Sequence, residues 1–130
     1  MPGKTLKVVL VGDAGVGKTS MVCKLLGRAK PRRYTPTLGV DVHTYKLGDT
    51  TINIWDTAGK DALAGGREVF YTGADACVVV NATGVNNAST WVNRVKSVSP
   101  KAVVSVISNT DTLQSVLSKL VYDNLRLVNL

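Results

Sequence analysis

The run Gly12-Asp13-Ala14-Gly15-Val16-Gly17-Lys18-Thr19 brings together three glycines, one lysine and one hydroxyl within eight residues. It fits G-x-x-x-x-G-K-[ST], a loop that cradles phosphate. The glycines allow a tight backbone whose N–H groups converge on phosphate oxygens. A helix starting at the end of the run adds partial positive charge there. Lys18 has the reach for the β/γ-phosphates of a nucleoside triphosphate, and the Thr19 hydroxyl can hold Mg²⁺. The candidate phosphate-binding residues are therefore Asp13, Ala14, Gly15, Val16, Gly17, Lys18, Thr19 and Ser20. The competing reading is a glycine-rich turn that matches by coincidence. Four fixed positions and the flanking elements argue against it.

Those flanking elements follow from hydrophobic patterning. Residues 6–11 (Leu-Lys-Val-Val-Leu-Val) predict a buried strand and residues 19–26 a helix. Residues 27–39 form a loop in which Pro31 and Pro36 break helix. Residues 40–47 and 51–55 predict an antiparallel pair joined by a turn at Gly48-Asp49. Residues 60–73 make a glycine-rich loop and a weak helix. Residues 76–80 (Ala-Cys-Val-Val-Val) and 102–107 are continuous apolar runs, as in strands buried on both faces. A helix over 86–98 places Trp91, Val95 and Val98 on one side, and a helix over 112–122 turns Leu113, Val116, Leu117, Leu120 and Val121 inward. Residues 125–128 predict a last short strand. The alternation of strands and helices implies an α/β domain with a doubly wound, mostly parallel sheet and one antiparallel strand, its ligand at the carboxyl ends of the strands.

Length and composition fit one small domain. The chain has 130 residues, 45% hydrophobic and 5% aromatic, so its core is built from Val, Leu, Ile and Ala. No apolar run is long enough to span a membrane. Met-Pro-Gly-Lys leads directly into the first strand, leaving no room for a signal peptide, and the last residues carry no C-a-a-X box. Cys23 and Cys77 sit in apolar contexts and read as reduced core residues. These features point to an intracellular protein of cytoplasm or nucleus. The formal charge of +7 is concentrated in residues 1–60, with the densest cluster at Arg28, Lys30, Arg32 and Arg33. Without interleaved aromatic residues this cluster reads as a solvated loop beside a polyanionic ligand rather than as a nucleic-acid surface.

Three further segments fall at strand ends. Asp56-Thr57-Ala58-Gly59 follows the strand ending at Trp55, where a carboxylate can hold Mg²⁺ and the Gly59 N–H can contact a γ-phosphate. Thr35-Pro36-Thr37 precedes the second strand, where Thr37 can complete a Mg²⁺ shell. Asn109-Thr110-Asp111 follows the fifth strand, where a base would lie.

In this order and spacing, these motifs resemble the Ras-like small GTPases, P-loop proteins of nucleotide switching. Within that family, Thr37-Leu38-Gly39-Val40-Asp41-Val42-His43 and Trp55-Asp56-Thr57-Ala58-Gly59 look most like the Ran branch of nuclear transport. The resemblance is strong over residues 6–60 and patchy beyond. It implies GTP/GDP and Mg²⁺ as ligands. Lys18, Thr37, Gly59 and Lys60 would occupy the catalytic positions, and Thr19, Thr37 and Asp56 would be the metal ligands. Tyr34 would be a nearby switch residue, with Asn109 and Asp111 at the base. It also implies partners: an exchange factor, an activating protein and Ran-type transport factors.

The chain departs from that family in four places. Lys60 stands where the family has the glutamine that orients the attacking water. Lysine has no acceptor, so hydrolysis is expected to be slow or partner-dependent. Ala14 replaces a glycine beside the γ-phosphate. The family's Asn-Lys-x-Asp is shortened to Asn109-Thr110-Asp111; this segment either contacts guanine, with weakened specificity, or forms a plain turn with Asp111 or Thr112 capping a helix. Residues 124–130 resemble the sixth strand, after which the last family helix is missing. That loss would bare apolar positions among Leu6, Val8, Leu10, Val103 and Ser105, inviting self-association, a covering partner or a shift of other elements over the face. Two functions follow: a GTP/GDP switch with slow or assisted hydrolysis, or a non-catalytic mimic of Ran that engages its transport and regulatory partners. A nucleotide kinase is the less expected reading, since no Arg-rich lid segment or acceptor-binding domain is found in these 130 residues and Asp56-Thr57-Ala58-Gly59 points elsewhere.

Overall fold

The stretch Thr5–Val11 has β-branched or leucine residues at six of its seven positions, a composition suited to a strand packed on both faces. In the computed structural model it is the central strand, β1, of a five-stranded sheet in the order β2-β3-β1-β4-β5. The described residues are 3–13, 15–27, 40–57, 70–82 and 87–128, with side chains as far as 123. The other strands are β2 (Val40–Leu47), β3 (Thr50–Thr57), β4 (Ala76–Asn81) and β5 (Val103–Ser108). β1 pairs in parallel with both β3 and β4, β4 in parallel with β5, and β2 alone runs antiparallel, against β3. Among the described residues three helices follow in chain order: α1 (Lys18–Leu26), α2 (Ala88–Val98) and α3 (Leu113–Val128).

Strand alternation divides the core into two halves. Leu6, Val8 and Leu10 of β1, with Ile52, Ile54 and Val78, face α1 and α3 through Met21, Val22, Leu113, Leu117, Leu120 and Val121. Val9, Val11, Cys77 and Val79 face the other way, onto Trp91 and Val95 of α2. Helices on both faces of a mostly parallel sheet make this the doubly wound α/β arrangement of P-loop proteins. Between β1 and β3 the Lys7 ammonium lies 3.8 Å from the centre of the Trp55 ring, and the Thr57 hydroxyl donates to Leu10 O at 2.9 Å inside the core.

Two expectations from the sequence are corrected. Residues 125–128 are not a strand: α3 runs unbroken from Leu113 to Val128, and the sheet of the described residues has five strands. A short apolar run fits either periodicity, and extending a helix already formed adds a hydrogen bond per residue fixed. Nor is the sheet face bare. Leu6, Val8 and Leu10 are each at most 3% exposed, because α3 lies beside α1 over them. Of the positions expected to be uncovered, only Val103 on edge strand β5 is exposed, with Ser105 half-buried. The uncovered-face reason for self-association through Leu6, Val8 and Leu10 therefore falls away.

Several boundaries also move. The helix expected from residue 86 starts at Ala88, and β3 continues two residues past Trp55 to include Asp56. The weak helix expected before residue 73 and the basic cluster at residues 28–33 lie largely or wholly outside the described residues. Cys23 and Cys77 are both buried free thiols, and burial pushes the Cys77 thiol up to about 12.

Candidate functional site

The site forms where β1, β3 and β5 end along one edge of the sheet. After Val11 the chain enters a loop of unusual backbone: Gly12, Gly15 and Gly17 all have positive φ. At Gly12 the requirement is also steric, because a Cβ there would lie 2.5 Å from Val80 O on the neighbouring strand. Gly17 takes the left-handed conformation at the N-cap of α1, and no side chain caps that terminus. The first-turn N–H groups of α1 thus lack a side-chain acceptor, the arrangement that receives an anion.

Lys18 is 6% exposed, and its ammonium donates to Gly12 O at 2.8 Å and Asp13 O at 3.1 Å. Burial lowers its pKa, opposed by the nearby charges of Asp56 and Asp13. The side chain is thus folded across its own loop at the mouth of the site. Beside it, the Thr19 hydroxyl donates to Asp56 Oδ2 at 2.9 Å. Asp56 is 5% exposed, and burial raises its pKa; the Thr19 hydrogen bond and the Lys18 charge work in the opposite direction. A hydroxyl and a buried carboxylate held this close, next to an uncapped helix N-terminus, form an oxygen donor pair suited to Mg²⁺, which keeps most of its shell as water and phosphate oxygens. The residues present fit a magnesium–phosphate group.

The third contributor is the turn after β5. Asn109 Nδ2 donates to Val16 O at 3.1 Å, tying this turn to the phosphate loop across 93 residues of sequence. Asp111 behaves differently. Its Oδ2 accepts from Ser108 N–H at 2.9 Å and its own N–H donates to Ser108 O at 3.0 Å, closing a turn. The helix cap is Thr112, whose Oγ1 accepts from Ser115 N–H at 3.4 Å. Of the two readings of this segment, Asn109 reaches the phosphate loop, while one Asp111 oxygen serves the turn and Thr112, not Asp111, caps α3. Gly17, Ser20, Lys24, Asn109 and Asp111 border a cleft of about 750 Å³ between α1 and this turn, within the size range of small-ligand sites.

The structure therefore brings together Asp13, Gly15, Val16, Gly17, Lys18, Thr19, Ser20, Asp56, Asn109 and Asp111. Ala14, Tyr34, Thr37, Gly59 and Lys60 lie outside the described residues. Sequence reasoning missed two residues. Trp91, assigned only to an apolar helix face, donates its indole N–H to Asp13 Oδ1 at 3.0 Å, and Asn87 Nδ2 donates to Asp13 Oδ2. The available signal was chemical: a buried tryptophan needs an acceptor for its N–H.

Comparison with known proteins agrees with this geometry. The family model described as "Ras of Complex, Roc, domain of DAPkinase" matches residues 7–111. Ras-related protein RABG3c of Arabidopsis thaliana is 39% identical over 94 residues, covering 66% of this chain and 46% of that protein. Ypt/Rab-type GTPase YPT7 of Saccharomyces cerevisiae is 38% identical over 95 residues, covering 66% and 46%. Ras-related protein Rab7 of Gossypium hirsutum is 37% identical over 94 residues, covering 66% and 45%. The chain spans about half the length of these relatives. They are of Rab and Ypt type, so the particular likeness to Ran expected from the Thr37–His43 and Trp55–Gly59 segments is not supported. With a family match across residues 7–111 and these relatives beside it, the chain belongs to the Ras-like small GTPases of the Roc type.

Proposed function

We propose that the chain is a guanine-nucleotide switch that binds GTP and GDP with Mg²⁺ and hydrolyses GTP slowly unless a partner assists. The observation that carries this reading is the Thr19–Asp56 pair, a hydroxyl and a buried carboxylate set 2.9 Å apart beside the phosphate loop. Members of the small GTPase family use Mg²⁺ with GTP or GDP, and this pair is the oxygen donor set such an ion needs. Backbone N–H groups from Gly15 to Ser20 would hold the phosphates, and Lys18 would swing from its Gly12 and Asp13 carbonyls to the β/γ oxygens. Thr19 and Asp56 would hold the metal, with Thr37 completing its shell. Asn109 would brace the loop at Val16 beneath the base. When bound, GTP supplies a γ-phosphoryl group open to in-line attack by water.

Slow turnover rests on Lys60 and Ala14. A lysine cannot accept a proton from water, so no group at that position orients the nucleophile. An activating protein that supplies a water-positioning or charge-stabilising group would restore the rate. The same two residues favour a second reading, a chain that binds nucleotide and partners without turnover. Nothing in the Rab- and Ypt-type relatives supports Ran-type transport factors as those partners. Among the described residues no helix is long and apolar enough to cross a membrane.

Calorimetric titration of the chain with GTP, GDP and ATP, with and without Mg²⁺, tests the proposal. Mg²⁺-dependent binding of GTP and GDP is expected, and no binding of either would overturn it. Nucleotide released from the purified protein separates the two readings: GDP indicates turnover, retained GTP a locked chain.

A further inference from the structure

We propose that Trp91, together with Asn87, is a positioning residue for the phosphate loop: the two side chains hold the Asp13 carboxylate away from the phosphates and fix the loop that seats Lys18. This deepens the nucleotide-switch reading and rests on it. Asp13 is the only acidic residue between Gly12 and Thr19. A carboxylate in a loop built to receive a polyanion is a liability, because like charges at close range repel across the low-dielectric site. The structure deals with it by turning the side chain onto α2. Oδ1 accepts the Trp91 indole N–H at 3.0 Å and Oδ2 accepts from Asn87. Asn87 is the N-cap residue of α2 and Trp91 lies in its first turns, so both oxygens are gripped from the N-terminal end of one helix.

The grip is firm because its anchor is. Trp91 is 1% exposed and packed among Val9, Val11, Val79 and Val95, so its ring has no room to reorient. An indole N–H is a donor only, and once buried it is costly to leave without an acceptor. The backbone of the same residue faces the other way: Asp13 O accepts from the Lys18 ammonium at 3.1 Å and Gly12 O does so at 2.8 Å. One residue therefore joins α2, on one face of the sheet, to the lysine on α1, on the other. Any displacement of α2 is passed to the Lys18 seat through Asp13.

The test uses Trp91→Phe, which keeps an aromatic side chain and removes the indole N–H; rescue by the double variant with Asp13→Ala separates loss of the N–H from loss of ring volume. In the full chain, Trp91→Phe is expected to weaken Mg²⁺·GDP binding about tenfold, the effect of losing one hydrogen bond to a charged group. Adding Asp13→Ala in the Trp91→Phe background is expected to recover most of that loss, since no carboxylate is then left to restrain. A merely structural tryptophan would not be rescued. Unchanged binding in the folded Trp91→Phe protein, or failure of the double variant to recover, overturns the proposal. A second readout needs no nucleotide. The chain has two tryptophans, so Trp55→Phe leaves Trp91 as the only tryptophan, which selective indole excitation reads apart from the tyrosines. Asp13→Ala in that background is expected to shift Trp91 emission in the nucleotide-free protein, and an unshifted spectrum overturns the contact. If the wild-type chain binds neither GDP nor GTP, the switch reading fails, and the emission shift still decides whether α2 holds the loop.

Discussion

The Thr19 hydroxyl and Asp56 Oδ2 meet at 2.9 Å, joining the first turn of α1 to the end of β3 across 37 residues. Thr19 is the last residue of the phosphate loop, and Asp56 is raised to the same level by the β1–β3 register, in which it pairs with Leu10. The contact places a neutral donor on a buried carboxylate, the arrangement expected of a metal pocket whose ligands stay organised in the absence of the ion. Removing the hydroxyl should therefore damage metal binding more than folding. Thr19→Ala is expected to lower Mg²⁺ affinity in the nucleotide complex on the order of 10- to 100-fold, measured by Mg²⁺ titration of nucleotide release. An unchanged Mg²⁺ requirement would remove Thr19 from the metal site.

Asp56 also makes stability depend on pH. Burial raises its carboxyl pKa above the ordinary aspartate value in the folded protein. The folded state thus takes up a proton at a higher pH than the unfolded state. Between those two titrations, stability contributed by this group rises as pH falls and declines as pH rises. Relative to Asp56→Asn, the nucleotide-free wild type should gain melting temperature as the pH is lowered from 7 towards about 4. Bound Mg²⁺ requires the charged form, so in the loaded protein the sign reverses and acid weakens binding. A difference between wild type and Asp56→Asn that does not vary with pH would refute the argument.

Gly12→Ala is expected to be among the most damaging single-methyl additions. The new Cβ would meet Val80 O at 2.5 Å, and that oxygen belongs to a central strand that cannot yield. With the positive φ added, a loss of about 1–3 kcal/mol is expected, read by chemical denaturation. A matching addition at Gly15, where no atom lies within 4 Å of the Cβ position, meets only backbone strain.

Asn109 and Asp111 should separate by experiment. Asn109→Ala removes the bond to Val16 O and is expected to cost about 1 kcal/mol, with weaker binding of every nucleotide alike. Because Ser108 N–H occupies one Asp111 oxygen, Asp111→Ala should change the ratio of GTP to ATP affinity by less than about tenfold, far from the factors of 10⁴ or more that a dedicated polar base contact gives. A collapse of guanine preference in Asp111→Ala would assign it the base after all.

Lys60→Gln should speed single-turnover GTP cleavage on the order of 10²-fold or more. Equal rates in the two proteins would show that another group positions the water.

Much of the fold could be read locally. The phosphate loop is continuous in sequence, so its chemistry was evident from residue types alone. The two-faced β1 and β4, and the inward stripe Leu113, Leu117, Leu120 and Val121, follow from periodicity, which depends only on neighbours. The Asn109-Thr110-Asp111 segment was ambiguous for a definite reason: Asn and Asp side chains serve turns, caps and ligands equally well, and only their partners distinguish these uses.

What the sequence determined by itself was a phosphate-binding α/β domain with a carboxylate at the end of its third strand. What tertiary structure alone decided was which face α3 covers, that residues 125–128 extend it, and that Asp13 is held from α2. Asp13 meets Asn87 and Trp91 across 74 and 78 residues. Contacts of that span depend on how two helices are set against one sheet, and no local pattern encodes that placement. The ends of β1, β3 and β5 converge because those strands run parallel, and the charge on Asp13 finds its donors because the core first fixes Trp91.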